Sequence, residues 1–199
     1  MGIELNKPNR LYKLNKLTFY AHRAISIKDT MINLQKLCAG DTFAYTGILY
    51  TARDQAHKRM VKSLRAGGKL PIDLKRAPIY YCGPTAIPRG KIIGSCGPTT
   101  SARMDAFTPL LLRQGLRVMI GKGARSAEVV AAIKKYKAVY CITYAGCGAL
   151  LARHIRSAQV VAYPDLGPEA IWKLEVDDFP LIVAVDSRGN DIYKRFRSI

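Results

Sequence analysis

Residues 126–144 read SAEVVAAIKKYKAVYCITY, and the fold class turns on this stretch. Val129, Val130, Ile133 and Tyr136 recur at helical spacing on one face, and Ser126 stands where an N-cap belongs. Lys134, Lys135 and Lys137 crowd the end of the segment, where the helix dipole favours positive charge. The spacing predicts a helix over 126–137. From Ala138 to Tyr144 the pattern changes to β-branched and aromatic residues, which predicts a strand, and 116–120 just upstream predicts another. Strand, helix, strand is an α/β unit.

The same alternation continues outward. Downstream, a helix is expected from about 148 to 157, with strands over 160–163, 170–176 and 180–186. Upstream, Thr100 to Phe107 can start a helix, Thr108-Pro109 can cap and restart one, and Gly115 ends it. Residues 78–82 and 91–95 look like short strands, each running into a Cys-Gly-Pro-Thr turn. Further back, 43–50 predicts a strand, and Ala56, Met60, Val61 and Leu64 mark a helix stopped by Gly67-Gly68. Met31, Leu34, Leu37 and Cys38 mark a short helix from Thr30 to the stop at Gly40. A single α/β domain with a layered, mixed sheet follows; periodicity leaves its strand order open.

The chain has 199 residues, 49% of them apolar, enough to fill a core of ordinary size and to exclude a disordered chain. Lys and Arg number 32 against 14 Asp and Glu, a net charge of +18. Such a field attracts anions, whether nucleic acid, an acidic protein or a small polycarboxylate, and does not choose among them. Residues 1–28 form a basic N-terminal extension to a domain over 29–199, with Lys7, Arg10, Lys13, Lys16, Arg23 and Lys28 against Glu4. The extension loosely resembles a targeting sequence, but Ser26 is its only serine. The longest useful apolar run, Leu181 to Val185, is far short of the roughly 18 residues of a membrane span. Cys38, Cys82, Cys96, Cys141 and Cys147 make an odd set without a CxxC pair and with no signal-peptide apolar region before them, so reduced thiols and a cytoplasmic chain are expected.

Three segments gather glycine, threonine and cations at expected strand ends, where α/β proteins place ligand groups. The first is Tyr50 to Arg59. If its helix begins near Thr51, Arg53 lies in the first turn and shares a face with His57; an arginine there opposes the dipole, so a local reason for it is worth seeking. The plain alternative is an exposed Arg53 paired with Asp54 or Gln55 and a structural His57. The second, Gly94 to Asp105, offers small residues for close backbone approach, the hydroxyls of Thr99 and Thr100 at a helix start, and the planar fork of Arg103. A simple capped helix start remains its alternative. The third is Ile120-Gly121-Lys122-Gly123, where Lys122 can reach a carboxylate or stand in water. It lacks the GxxxxGK[ST] spacing and a following hydroxyl, so an NTPase is excluded. The cysteine spacings match neither zinc nor common iron–sulfur sites, so no metal ligands are assigned in this chain and buried apolar roles are expected. His22 and His154 stand alone.

Taken in order, TARDQAH at 51–57, YYCGP at 80–84, GPTTSARMD at 97–105, IGKG at 120–123, DLGPEAIW at 165–172 and DFPLIVAVD at 178–186 resemble the class I, iron–sulfur-dependent fumarate hydratases. The likeness is to their β subunit or C-terminal domain and covers roughly 30–193; the L-tartrate dehydratase β subunits share the framework. This resemblance implies a swivelling β/β/α domain and a hydro-lyase that interconverts L-malate and fumarate. It also implies a [4Fe–4S] cluster held by a partner α subunit, a hetero-oligomer, and a β chain inactive alone. On matching positions, Arg53, Arg103 and Lys122 look like the cationic clamp on the substrate carboxylates, with Thr100 beside them, Thr99 like the catalytic hydroxyl and His57 like a catalytic or orienting imidazole. The basic extension, the +18 charge and Cys147 in a glycine-rich turn depart from the common pattern. A second class, a basic nucleic-acid-binding module, would need a broad positive stripe, whereas a diacid site needs the three cations to converge.

Overall fold

The computed structural model describes residues 23–26, 36–75 and 78–195. β1 (Arg23–Ser26) and β2 (Thr42–Thr51) are followed by helix α1 (Asp54–Arg65), β3 (Ile79–Tyr80) and a short 3-10 turn, Ser101–Met104. Next come α2 (Thr108–Arg113), β4 (Val118–Gly121), α3 (Ala127–Tyr136), β5 (Val139–Ile142) and α4 (Gly148–Ala152). The chain closes with β6 (Ile155–Ala162), a 3-10 segment Pro164–Glu169, β7 (Ile171–Val185) and α5 (Ile192–Arg195). Among the described residues, no helix is long and apolar enough to cross a membrane.

β1 to β5 lie side by side in chain order and are all parallel. β7 runs antiparallel to β6 along its first half, to β5 near its end, and to β2 along most of its length. Because β2 also leads through β3 and β4 to β5, these pairings close a ring. Alternation along each strand then sends neighbours to opposite faces. Phe43, Tyr45 and Leu49 of β2, Val118 and Ile120 of β4, Val139 and Cys141 of β5, and Leu174, Phe179 and Val183 of β7 make one core. Their neighbours Ile79, Met119, Tyr140 and Ala184 face the other way and pack against Met60 of α1, Leu111 of α2, and Val129 and Ile133 of α3. Each Leu- or Val-sized side chain so buried contributes about 1.5–3 kcal/mol.

Several expectations are corrected. β7 is one strand, not two: Asp178 takes φ 51° in mid-strand, its N–H donates to Thr46 Oγ1 at 3.0 Å, and pairing with β2 resumes beyond the bulge. Residues 91–95 form no strand despite Ile92 and Ile93. Thr85 and Ser95 close this stretch into a loop, Thr85 N–H donating to the Ser95 carbonyl at 3.0 Å and Ser95 N–H to Thr85 Oγ1 at 2.8 Å. The helix expected to 157 stops at Ala152, since Ile155 already pairs with Val176. Thr108 does not cap α2; its hydroxyl donates back to the Met104 carbonyl at 2.8 Å. The helix expected over 30–40 lies mostly outside the described residues, as does the basic extension before Arg23; Arg23 to Ser26 pair with Phe43 to Thr46.

Candidate functional site

Thr51, Tyr80, Gly121 and Ile142 end four parallel strands on the same side of the sheet, the side on which such sheets hold ligands. All three segments singled out in the sequence arrive there. Thr99 N–H donates to the Tyr81 carbonyl at 2.7 Å, Ser101 N–H to the Lys122 carbonyl at 2.9 Å, and Lys122 N–H to Ser101 Oγ at 3.1 Å. Thr100 and Lys122 form a parallel bridge. Glycine at 121 makes this approach possible: a Cβ there would collide with Ser101 Oγ and come within 2.9 Å of Tyr81 Cδ2.

The first segment is corrected in detail. α1 begins at Asp54, and Arg53 is its N-cap, in extended conformation and without a side-chain cap bond. A cation at that end opposes the helix dipole, and two carboxylates answer it. Glu169 Oε2 accepts the Gln55 N–H at 2.8 Å while its Oε1 lies 3.5 Å from Arg53 Nη2. Asp54 Oδ1 accepts from Arg103 Nε at 2.9 Å, and its Oδ2 lies 3.9 Å from Arg53 Nε. One aspartate therefore holds guanidinium groups from two distant segments. Gly83 makes room for the first, since a Cβ there would come within 2.8 Å of Arg53 Nη1. Arg53 Nε and Asp54 Oδ2 are buried without a hydrogen-bond partner. Arg103 has a side chain 52% exposed, and its Nε is already used, which leaves the terminal edge of the fork for a ligand.

His57 lies fully buried on α1, edge-on to Tyr81 with ring centroids 5.3 Å apart. Its Nδ1 sits 2.9 Å from the Arg53 carbonyl, which can only accept, so Nδ1 carries the proton and Nε2 is left unpartnered. Burial lowers its pKa to about 4, so the ring is neutral near pH 7. Thr99 and Lys122 are half-buried, and Thr100 is exposed, preceding the 3-10 turn without a side-chain cap bond. Cys82 and Cys96 are buried with Sγ atoms 3.1 Å apart; burial pushes the Cys82 thiol up and Cys141 to about 12. The buried role expected of the cysteines fails at Cys147, which is exposed in its glycine-flanked turn; Cys38 is exposed as well. Among the described residues, no three Cys, His, Asp or Glu side chains converge in a way that could hold a metal ion.

Sequence reasoning offered Asp54 as a partner for Arg53 but missed its hold on Arg103; it missed Glu169 as a partner of Arg53, and Arg125 entirely. The dipole argument applied to Arg53 fits Arg125 equally well, since it stands just before the Ser126 cap, and would have marked it for attention.

A family model described as fumarase C-terminus matches residues 4–196, and the chain belongs to that family. It is 40% identical to the anaerobic class I fumarate hydratase of Escherichia coli K12 over 171 residues, 85% of this chain and 31% of that protein. It is also 40% identical to a putative L(+)-tartrate dehydratase subunit beta of Methanocaldococcus jannaschii, covering 84% of this chain and 89% of that one. With the L(+)-tartrate dehydratase subunit beta of Escherichia coli K12 it shares 35% identity, over 80% and 81% of the two chains. The chain thus spans about a third of the length of the class I fumarate hydratase it matches and most of a tartrate dehydratase β subunit.

Proposed function

We propose that this chain is the diacid-binding β subunit of a cytoplasmic hydro-lyase that reversibly dehydrates L-malate to fumarate together with a cluster-bearing α subunit. The observation that carries this reading is the meeting of Arg53 and Arg103 on Asp54, at the strand ends where Thr99, Thr100 and Lys122 also stand. A nucleic-acid module would spread its cations along a stripe; convergence supports a small anion. The names of the relatives favour a hydroxy-diacid, and tartrate is the second candidate. The closed strand ring with α1, α2 and α3 packed on one of its faces supports the swivelling β/β/α assignment.

In this reading the clamp of Arg53, Arg103 and Lys122 fixes the two carboxylates, which lowers the entropic barrier by orienting the reacting carbons. Dehydration removes a proton from the carbon beside one carboxylate and hydroxide from its neighbour. The Thr99 hydroxyl has too high a pKa to take that proton unaided, so it needs a base from the partner. His57, neutral and buried, orients the Arg53 backbone through its Nδ1–H. In this reading a [4Fe–4S] cluster is held by the partner α subunit, as the family resemblance implies, and this chain supplies the diacid clamp. Alone, the chain is inactive. Co-expression with the α subunit and anaerobic cluster reconstitution test this, with malate turnover expected to exceed tartrate turnover. Turnover by the isolated chain, or none of either diacid by the complex, would overturn it.

A further inference from the structure

We infer that Arg125 is the positioning residue of this site, a buried fork that holds the Arg103 turn and the Lys122 loop in one register. The inference rests on the diacid reading above. Arg125 has a completely buried side chain, an unusual place for a guanidinium, and every edge of its fork is engaged. Nε donates to Asp105 Oδ1 at 2.7 Å, Nη2 donates to Thr108 Oγ1 at 2.8 Å, and Nη1 lies 3.4 Å from the Tyr81 hydroxyl. The guanidinium carbon stands 4.9 Å from the Tyr140 ring centroid and 5.4 Å from that of Tyr81.

Each partner belongs to a segment that builds the site. Asp105 caps the end of the turn that carries Arg103, Thr108 bonds back to the Met104 carbonyl of that turn, and the second oxygen of Asp105 accepts the Ser126 N–H at 2.7 Å. Tyr81 supplies the carbonyl that receives Thr99 N–H. The Tyr140 hydroxyl lies 2.8 Å from both Ser101 Oγ and the Gly123 carbonyl, and Ser101 Oγ in turn accepts Lys122 N–H. Arg125 itself reaches none of Arg53, Arg103 or Lys122, so it acts through these intermediaries. A lysine would keep the charge and lose the planar fork that joins Asp105, Thr108 and Tyr81 at once.

Two variants separate positioning from plain structural support. In Arg125→Met/Asp105→Leu, both members of the buried pair are replaced by apolar groups, which leaves no orphaned charge. The expected result in the assembled, cluster-loaded complex is a melting temperature near wild type, a KM for malate raised at least tenfold, and a smaller change in kcat. Arg125→Lys, the milder change should the double variant not fold, is expected to raise KM in the same way. On the chain alone, amide exchange at Ser101 and Lys122 is expected to quicken at least tenfold in Arg125→Lys while α1 and α3 keep their protection. A folded variant with wild-type KM, or unchanged exchange at those two amides, overturns the inference. If the wild-type complex turns over no diacid, the site reading fails by itself, and the exchange experiment still decides whether Arg125 joins the two loops.

Discussion

Arg103 and Asp105 stand two residues apart, and each belongs to an arginine–aspartate pair of opposite character. Arg103–Asp54 is at the rim, with side chains 52% and 20% exposed; Arg125–Asp105 is inside, at 0% and 15%. The rim pair is screened by water and carries little of the fold's stability, so its guanidinium keeps an edge free for another anion. The inner pair has every edge engaged, and losing one partner leaves a buried charge uncompensated. The largest effect therefore falls on function at the rim. Arg103→Ala is expected to lower kcat/KM of the complex roughly 10³-fold, the scale of removing a preorganised charge-stabilising donor. Urea unfolding of the isolated chain should barely change. A large loss of stability with turnover intact would reverse the roles of the two pairs.

His57 sharpens the contrast, because it sits beneath the rim in the dry layer. Its folded pKa of about 4 lies below the ordinary 6.5, so between these values the unfolded state binds a proton that the folded state refuses. The sign follows: His57 leaves stability intact above about pH 6.5 and removes it as pH falls through the folded value, in all about 3 kcal/mol. Unfolding free energies measured from pH 7 to pH 4 should show this fall, and His57→Gln should lose that part of the slope. Equal slopes in the two proteins would place the imidazole in contact with water.

Much of this arrangement was legible in local pattern. The helix over 126–137 needed only spacing and a cap, and Ser126 Oγ does accept the Val129 N–H at 3.2 Å. Arg53, Thr99, Arg103 and Lys122 could be singled out because glycines and hydroxyls mark strand ends. What was hidden depends on partners distant in sequence. Asp54 reads as a partner for its neighbour Arg53 alone until Arg103, 49 residues on, donates to it. Ile92 and Ile93 favour a strand, yet the Thr85–Ser95 closure decides their conformation. The bend at Asp178 looks like a strand end until β2 is laid beside it. Gly121 tests the same lesson at a smaller scale. In Gly121→Ala the new methyl must displace Ser101, with an expected loss of about 1–3 kcal/mol in chemical denaturation. It should also weaken diacid binding, since the Arg103 turn and Lys122 loop meet at Ser101. An unchanged denaturation midpoint would mean that the two loops separate without cost.

The smallest effect is expected at Asp54, and it bears directly on the rim pair. The Asp54→Asn amide oxygen can still accept from Arg103 Nε, so the hydrogen bond survives while its charge assistance is lost. Removing the carboxylate also takes away a negative charge that competes with any incoming diacid for both arginines. These two consequences oppose each other in KM. Orientation, by contrast, is only weakened, and Glu169 still lies against Arg53. The variant is therefore expected to change kcat/KM by no more than about tenfold and stability by less than about 1 kcal/mol. Steady-state kinetics of the complex at low and moderate salt would separate the two, because the loss of a competing charge is screened by salt and the loss of orientation is not. A salt-independent collapse of kcat would show that Asp54 does more at the rim than hold two guanidinium groups together.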